Sequence, residues 1–181
     1  MRLGIADHLG WAVAVAASGS HEVVDRRRIE LIEPGVPPMP IHHEAKFLDL
    51  AATETLVAEV RASASRVGSA ALDELASSLP GPIVSVSLRG WPPDFPESVD
   101  LQRRAPYEAR ADAIMYRQVL AELAHARGWR VWLYDARQVE GEAAARLGER
   151  ADDILYGPRA ELGPPWTRDH RVALAATVVA G

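Results

Sequence analysis

Hydrophobic positions follow two rhythms along the chain. Up to residue 32 they come in short runs, LGIADH at 3–8 and WAVAVA at 11–16, separated at Gly10 and followed by the turn-forming SGS at 18–20. Short apolar runs bounded by glycine and serine read as strands, so this segment is predicted to be an antiparallel meander or a long hairpin. In HEVVDRRRIELI, 21–32, Val23, Ile29 and Leu31 share one parity with Asp25 and Arg27, whereas Val24 and Ile32 share the other with Arg26, Arg28 and Glu30. That mixture predicts a strand wet on at least one face and close to a sheet edge.

EPGVPPMPIHHE, 33–44, holds four prolines and can be neither helix nor central strand. Beyond it the rhythm becomes helical. Leu56, Val60, Val67, Ala71 and Leu75 recur on one face between Leu48 and Leu79, with Gly68 as a weak point and PGP at 80–82 as the stop. IVSVSL at 83–88 is a strand and RGWPPDFPES a loop. PYEARADAIMYRQVLAELAHARG predicts a second long helix, with Pro106 in its first turn, Ala113, Tyr116, Leu120 and Leu123 on the buried stripe, and Gly128 at its end. WRVWLYDA, 129–136, is a further strand. Its alternating bulk predicts Trp129 or Trp132 buried, and Val131 and Leu133 predict a strand apolar on both faces. A shorter helix within 138–149, a Gly/Pro-rich loop and a final helix from about Arg168 complete the chain.

This order predicts an α/β fold in one domain, 1–181. The strands near 3–8, 83–88 and 129–135 run parallel in one mixed sheet, strand 22–32 is antiparallel to its neighbour, and helices lie on both faces. A length of 181 residues with 48% hydrophobic positions suffices for one sizeable core.

Composition narrows the chemistry. The absence of cysteine excludes disulfides, thiolate metal sites and cysteine nucleophiles, and suits a reducing compartment. No apolar run approaches membrane-spanning length, and MRLGIADHLG places an acid where a signal peptide would be hydrophobic, so a cytoplasmic protein with no membrane partner is expected. A net charge of −5 opposes diffuse attraction to phosphate backbones, which requires any nucleic-acid contact to be a local basic face. The cations are arginines apart from Lys46, and arginine is the better fork for phosphate or carboxylate.

The last third adds a more specific likeness. VWLYDARQVEGEAAARLGERADDIL, followed by WTRDHRVALAA, resembles the closing segment of bacterial Holliday-junction resolvases of the ribonuclease H-like superfamily. There a strand leads into an Arg-Gln-Val helix start, matched by Arg137, Gln138 and Val139, and a final helix opens with two aspartates three apart before an Ala-Leu-Ala run. Asp169 takes the earlier aspartate position, before Ala173, Leu174 and Ala175, and GIADHLGWAVAV is similar to the family's first strand, which would make Asp7 its aspartate. The resemblance implies a ribonuclease H-like fold, a nucleic-acid partner, and a divalent cation, Mg²⁺ or Mn²⁺, held between Asp7 and Asp169 where the first strand ends and the last helix begins. The departures bear on the same site. The later aspartate falls on Val172, the middle-strand glutamate falls within Ser87, Leu88 and Arg89, and the turn after Asp7 is shortened to His8, Leu9 and Gly10. Two-metal hydrolysis needs several carboxylates around ions about 3.5–4 Å apart, and two aspartates would hold such a cation weakly.

Asp7 and Asp169 each precede a histidine, His8 and His170, and two converging Asp-His pairs would offer two imidazoles with one or two carboxylates, better suited to Mn²⁺, Fe²⁺ or Zn²⁺ than to Mg²⁺; Asp7, Asp169 and His170 are the candidate ligands. Regular strand alternation opposes a full convergence, because Asp7 and His8 point to opposite faces, and Asp169 also suits the first turn of a helix. Asp135 at a strand end is a further acid. His42, His43 and Glu44 lack the His-Glu-x-x-His spacing and read as a solvated loop. Arg26 and Arg28 share a strand face that suits phosphate or a protected edge, and Arg103, Arg104 and Arg110 are expected to spend part of their charge on Glu108 and Asp112. No Gly-x-Ser-x-Gly elbow, phosphate loop or dinucleotide fingerprint is present. Trp91, Phe95 and Trp166 in Pro-rich loops are expected to be pinned against the body. The functional expectation is a ribonuclease H-like domain with a degraded or rebuilt metal site, binding a protein partner or a nucleic-acid structure rather than cutting it. The rivals are a metal-dependent nuclease or phosphoesterase using Asp7 and Asp169, and a homo-oligomeric structural domain.

Overall fold

The computed structural model describes residues 1–180 and opens with the predicted meander. β1 (Arg2–Asp7), β2 (Trp11–Ala17) and β3 (Val23–Glu30) pair antiparallel in chain order. The first turn is tight: the His8 amide donates to the Trp11 carbonyl at 2.9 Å, and Gly10 takes φ 83°, a conformation that side chains avoid. β4 (Ser85–Arg89) and β5 (Arg130–Tyr134) then add in parallel on the other side of β1. The five-stranded order is β3-β2-β1-β4-β5, so the sheet is mixed as the pattern predicts, with the charged β3 at one edge.

The α-helices are α1 (Leu50–Ser78), α2 (Val99–Gln102), α3 (Glu108–Ala126), α4 (Val139–Leu147), α5 (Ala151–Leu155), α6 (Pro158–Leu162) and α7 (Arg168–Val179), with 3-10 turns at Glu44–Phe47 and Gly148–Arg150. Helices α1 and α3 cover one face of the sheet, packing on Leu3, Ile5, Val86 and Leu88. Helices α4 and α7 cover the other, over Ala6, Val13, Val15 and Tyr134. The small apolar run of the C-terminus has a steric reason: the backbone of α7 lies directly on β1. A Cβ on Gly4 would stand 1.8 Å from the Ala173 carbonyl oxygen. No helix among the described residues is long and apolar enough to cross a membrane.

Several details differ from the pattern. Helix α1 runs unbroken through Gly68, where a Cβ would meet Leu123 Cδ1 at 3.2 Å; the glycine serves close packing against α3 rather than weakening the helix. Pro106 lies in the turn before α3, which begins at Glu108. Its buried stripe is broader than predicted, centred on Ile114, Met115, Tyr116, Val119 and Leu120, with Ala113 and Leu123 only half-buried. Trp129 is buried, but Trp132 and Leu133 are 43% and 51% exposed. β5 is therefore not apolar-buried on both faces, because it is an edge strand that the helices cover only in part. Two short helices, α5 and α6, occupy the stretch read as loop.

Candidate functional site

The parallel strands β1, β4 and β5 end on the same side of the sheet, and the pleat decides what each terminal residue faces. Asp7, the last residue of β1, turns toward α3 and is 3% exposed. Its Oδ2 accepts a hydrogen bond from Arg117 Nε at 2.8 Å. Among the described residues its Oδ1 has no hydrogen-bond partner and faces Arg89 Nε, which likewise has none there, at 3.9 Å. Arg117 further donates to the Gly90 carbonyl at 3.3 Å. The expected ligand Asp7 is thus bound to a guanidinium and flanked by a second.

His8, one residue on, faces α7. Its Nε2 lies 3.0 Å from Asp169 Oδ2, so the end of β1 and the start of α7 meet through His8 rather than Asp7. The His8 ring stacks on Trp11, with centroids 4.0 Å apart and planes within 6°, and the Arg28 guanidinium lies over the Trp11 ring at 4.0 Å. His170 is committed elsewhere: its Nδ1 accepts from the Thr167 amide at 3.2 Å and pairs with Thr167 Oγ1 at 2.9 Å, closing a cap on α7. Burial lowers the His170 pKa, Arg26 adds to the effect, and Asp169 opposes it. Asp7 on one face of β1, and Asp169 with His170 on the other, do not come together as one ligand set. Among the described residues no three His, Asp or Glu side chains are grouped to hold an ion.

What the strand ends do assemble is a basic cleft of about 710 Å³. Arg89 closes β4, Arg137 follows β5, and Arg110 and Arg117 lie two turns apart on the same side of α3, with Trp91 and Leu133 forming apolar wall. The side chains of Arg110 and Arg137 make no hydrogen bond or ion pair among the described residues. Asp135 Oδ1 accepts from the Arg137 amide at 2.8 Å, which ties that acid into its own turn. A smaller cleft of about 230 Å³ adjoins, sharing Arg89 and Arg117 and lined also by Asp7, His8, His42 and Asp112.

Asp112 organises the Pro-rich connection. Its two carboxylate oxygens accept from the Ile41 and His42 amides, each at 2.9 Å, and burial raises its pKa despite those bonds. The 33–44 segment is therefore pinned at His42, while His43 pairs with Glu44 at 3.0 Å. Burial, reinforced by the charge of Asp7, pushes the Tyr134 phenol well above its ordinary value, and its hydroxyl donates to the Ile5 carbonyl at 2.7 Å.

The other arginines named from sequence have internal work. Arg26 donates to the Leu162 carbonyl at 2.7 Å and to that of Pro165, and Arg28 pairs with Glu30 at 2.7 Å. Arg103 holds the Ala45 and Leu48 carbonyls at 3.0 and 2.7 Å. Arg104 pairs with Asp100 and not with Glu108 or Asp112, and among the described residues the side chain of Arg110 pairs with neither acid. Phe95 and Trp166 are pinned as expected, at 9% and 7% exposure, with Trp166 Nε1 donating to the Leu155 carbonyl at 2.9 Å. Arg117 escapes sequence reasoning, although an arginine in register with the apolar stripe beside Tyr116 is a signal that something acidic awaits it. Arg89 is visible there only as a residue near the position where the resemblance would place a glutamate.

No protein-family model matches the chain, and no curated protein matches it in sequence.

Proposed function

We propose that this is a ribonuclease H-like domain whose carboxylate site has been rebuilt as an anion cleft, binding a phosphate-bearing nucleic-acid structure without cutting it by a two-metal route. The observation that supports this reading best is the fate of Asp7. The one carboxylate at the end of the first strand is salt-bridged to Arg117 at 2.8 Å, and the neighbouring strand end supplies Arg89 in place of another acid. Open α/β sheets bind ligands outside the carboxyl ends of their strands, and there this chain presents four arginines. A guanidinium grips a phosphate in two-pronged fashion. The cleft also resolves the charge difficulty, since local basicity lets a chain of net charge −5 approach a polyanion at one place only.

Fluorescence anisotropy with a labelled four-way junction, duplex and single strand tests this. Binding should weaken steeply with salt. Arg110→Ala with Arg137→Ala should reduce both affinity and the log–log salt slope, the latter by roughly 0.7–0.9 for each phosphate no longer neutralised. Salt-independent affinity, or none at 50 mM salt, would remove the reading.

One observation favours a homo-oligomeric domain instead: β5, which among the described residues has no strand on its outer side, exposes Trp132 and Leu133, and such an edge is a template for strand pairing. Sedimentation of the parent and Trp132→Lys decides it, a dimer lost in the variant supporting assembly through β5 and a monomeric parent excluding it.

A further inference from the structure

The larger cleft at the strand ends is not purely basic, because both strand ends that give it a cation also give it apolar surface. β4 closes with Arg89 and runs on into Trp91 and Pro92, and β5 supplies Leu133 before Arg137. Trp91 is half-buried and packs against the core between the sheet and α3, so its indole is a fixed wall rather than a loose side chain. Leu133 is 51% exposed. The same cleft holds Arg110 and Arg137, whose side chains make no hydrogen bond or ion pair among the described residues.

This mixture selects the ligand. A bare phosphate would use the guanidiniums and leave the indole wetted. A double helix offers phosphates and groove edges, but its base faces are closed within the stack. An unpaired nucleotide offers a phosphate beside a free π-face, and base–aromatic stacking together with basic contacts to the backbone is how proteins hold single strands. A volume of about 710 Å³ lies within the range of sites that enclose a small ligand, and so admits a nucleotide with its base. We propose that the cleft binds single-stranded nucleic acid, one base stacking against Trp91 and the adjoining phosphate lying on Arg110 and Arg137. The inference rests on the reading that the cleft takes nucleic acid, and adds that an unpaired base fills it. Every base has a π-face, so strand state rather than sequence is the feature recognised.

A labelled thymidine strand, an abasic strand of the same length and backbone charge, and the duplex of the first with its complement are compared by anisotropy at fixed salt. The strand with bases should bind about tenfold tighter than the abasic one, the scale of one stacked base. Trp91→Leu should bring that ratio close to one while leaving abasic and duplex affinities unchanged, and Trp91→Phe, which keeps a π-face, should retain most of it. Arg110→Ala with Arg137→Ala should weaken binding of all three probes and preserve the ratio. The comparison of the two strands in the parent needs no variant, and carries the test if Trp91→Leu fails to fold. Equal affinity for the strands with and without bases would overturn the inference and leave the anion-cleft reading intact. A ratio that survives Trp91→Leu would overturn it too, as would a duplex affinity that falls with that substitution, since Trp91 would then shape the cleft rather than stack. Binding of no probe would remove both readings together.

Discussion

Arg117 Nε donates to Asp7 Oδ2 at 2.8 Å between side chains that are only 10% and 2% exposed. The pair joins the middle of α3 to the end of β1, and both side chains are largely withdrawn from solvent. Breaking a buried pair from one side costs about 3–5 kcal/mol, because the remaining charge is uncompensated, whereas replacing both partners with apolar groups of similar size is near neutral. Arg117→Met should therefore lower the urea unfolding free energy by about 3 kcal/mol, and Asp7→Leu combined with Arg117→Met should recover most of it. Additive losses in the double variant would mean that the two residues act independently.

Gly4 and α7 make a second stability prediction. With its missing Cβ taken up by the Ala173 carbonyl at 1.8 Å, even one methyl at position 4 must push α7 off the sheet. Gly4→Ala should destabilise by about 3 kcal/mol or prevent folding, at or beyond the upper end of the usual cost of overpacking. A thermal midpoint equal to the parent's would show that α7 is free to shift.

Strand and helix rhythms, the mixed sheet and the parallel run of the strands near 3–8, 83–88 and 129–135 are legible from periodicity, because period-2 and period-3.6 burial leave different traces along a chain. The exposure of Trp132 and Leu133 is not, since composition along β5 cannot say that no strand lies beside it. The site is half legible for a related reason. Asp7 in an apolar strand and Asp169 at a helix start are visible as acids needing partners. That the partners are Arg117 and His8, on opposite faces of β1, depends on where α3 and α7 dock across long sequence separations.

His170 sets a pH dependence. Its folded pKa is lowered from 6.5, first by burial and then by Arg26, against Asp169, and that of His21 is lowered chiefly by burial. Below pH 6.5 the unfolded chain takes up protons that the folded one does not, so stability is fully present above 6.5 and falls as pH drops beneath it. The thermal midpoint should decline between pH 7.5 and 5.5. His170→Asn, which keeps an acceptor for the Thr167 amide, should show a shallower decline than the parent. Equal slopes would mean that His170 titrates normally in the fold.

Divalent cations test the rebuilding of the site. Asp7 already has its opposite charge in Arg117, Arg89 stands within 3.9 Å of its other oxygen, and Asp169 is engaged by His8 across the strand. An ion at Asp7 would have to displace a guanidinium from a buried carboxylate while lying close to another, and would draw no second carboxylate from the far face of β1. Ligand binding raises stability by RT ln(1 + [L]/Kd), so weak binding at about 1 mM MgCl₂ or MnCl₂ should leave the melting temperature within about 1 °C of the metal-free protein. Four-way-junction and plasmid cleavage should stay at background in both metals. A clear Mn²⁺-dependent rise in melting temperature, or cutting, abolished by both Asp7→Asn and Asp169→Asn would show that the arginines yield to a metal. The cleft would then be a nuclease site held closed by Arg117 and Arg89 rather than an anion site in its own right.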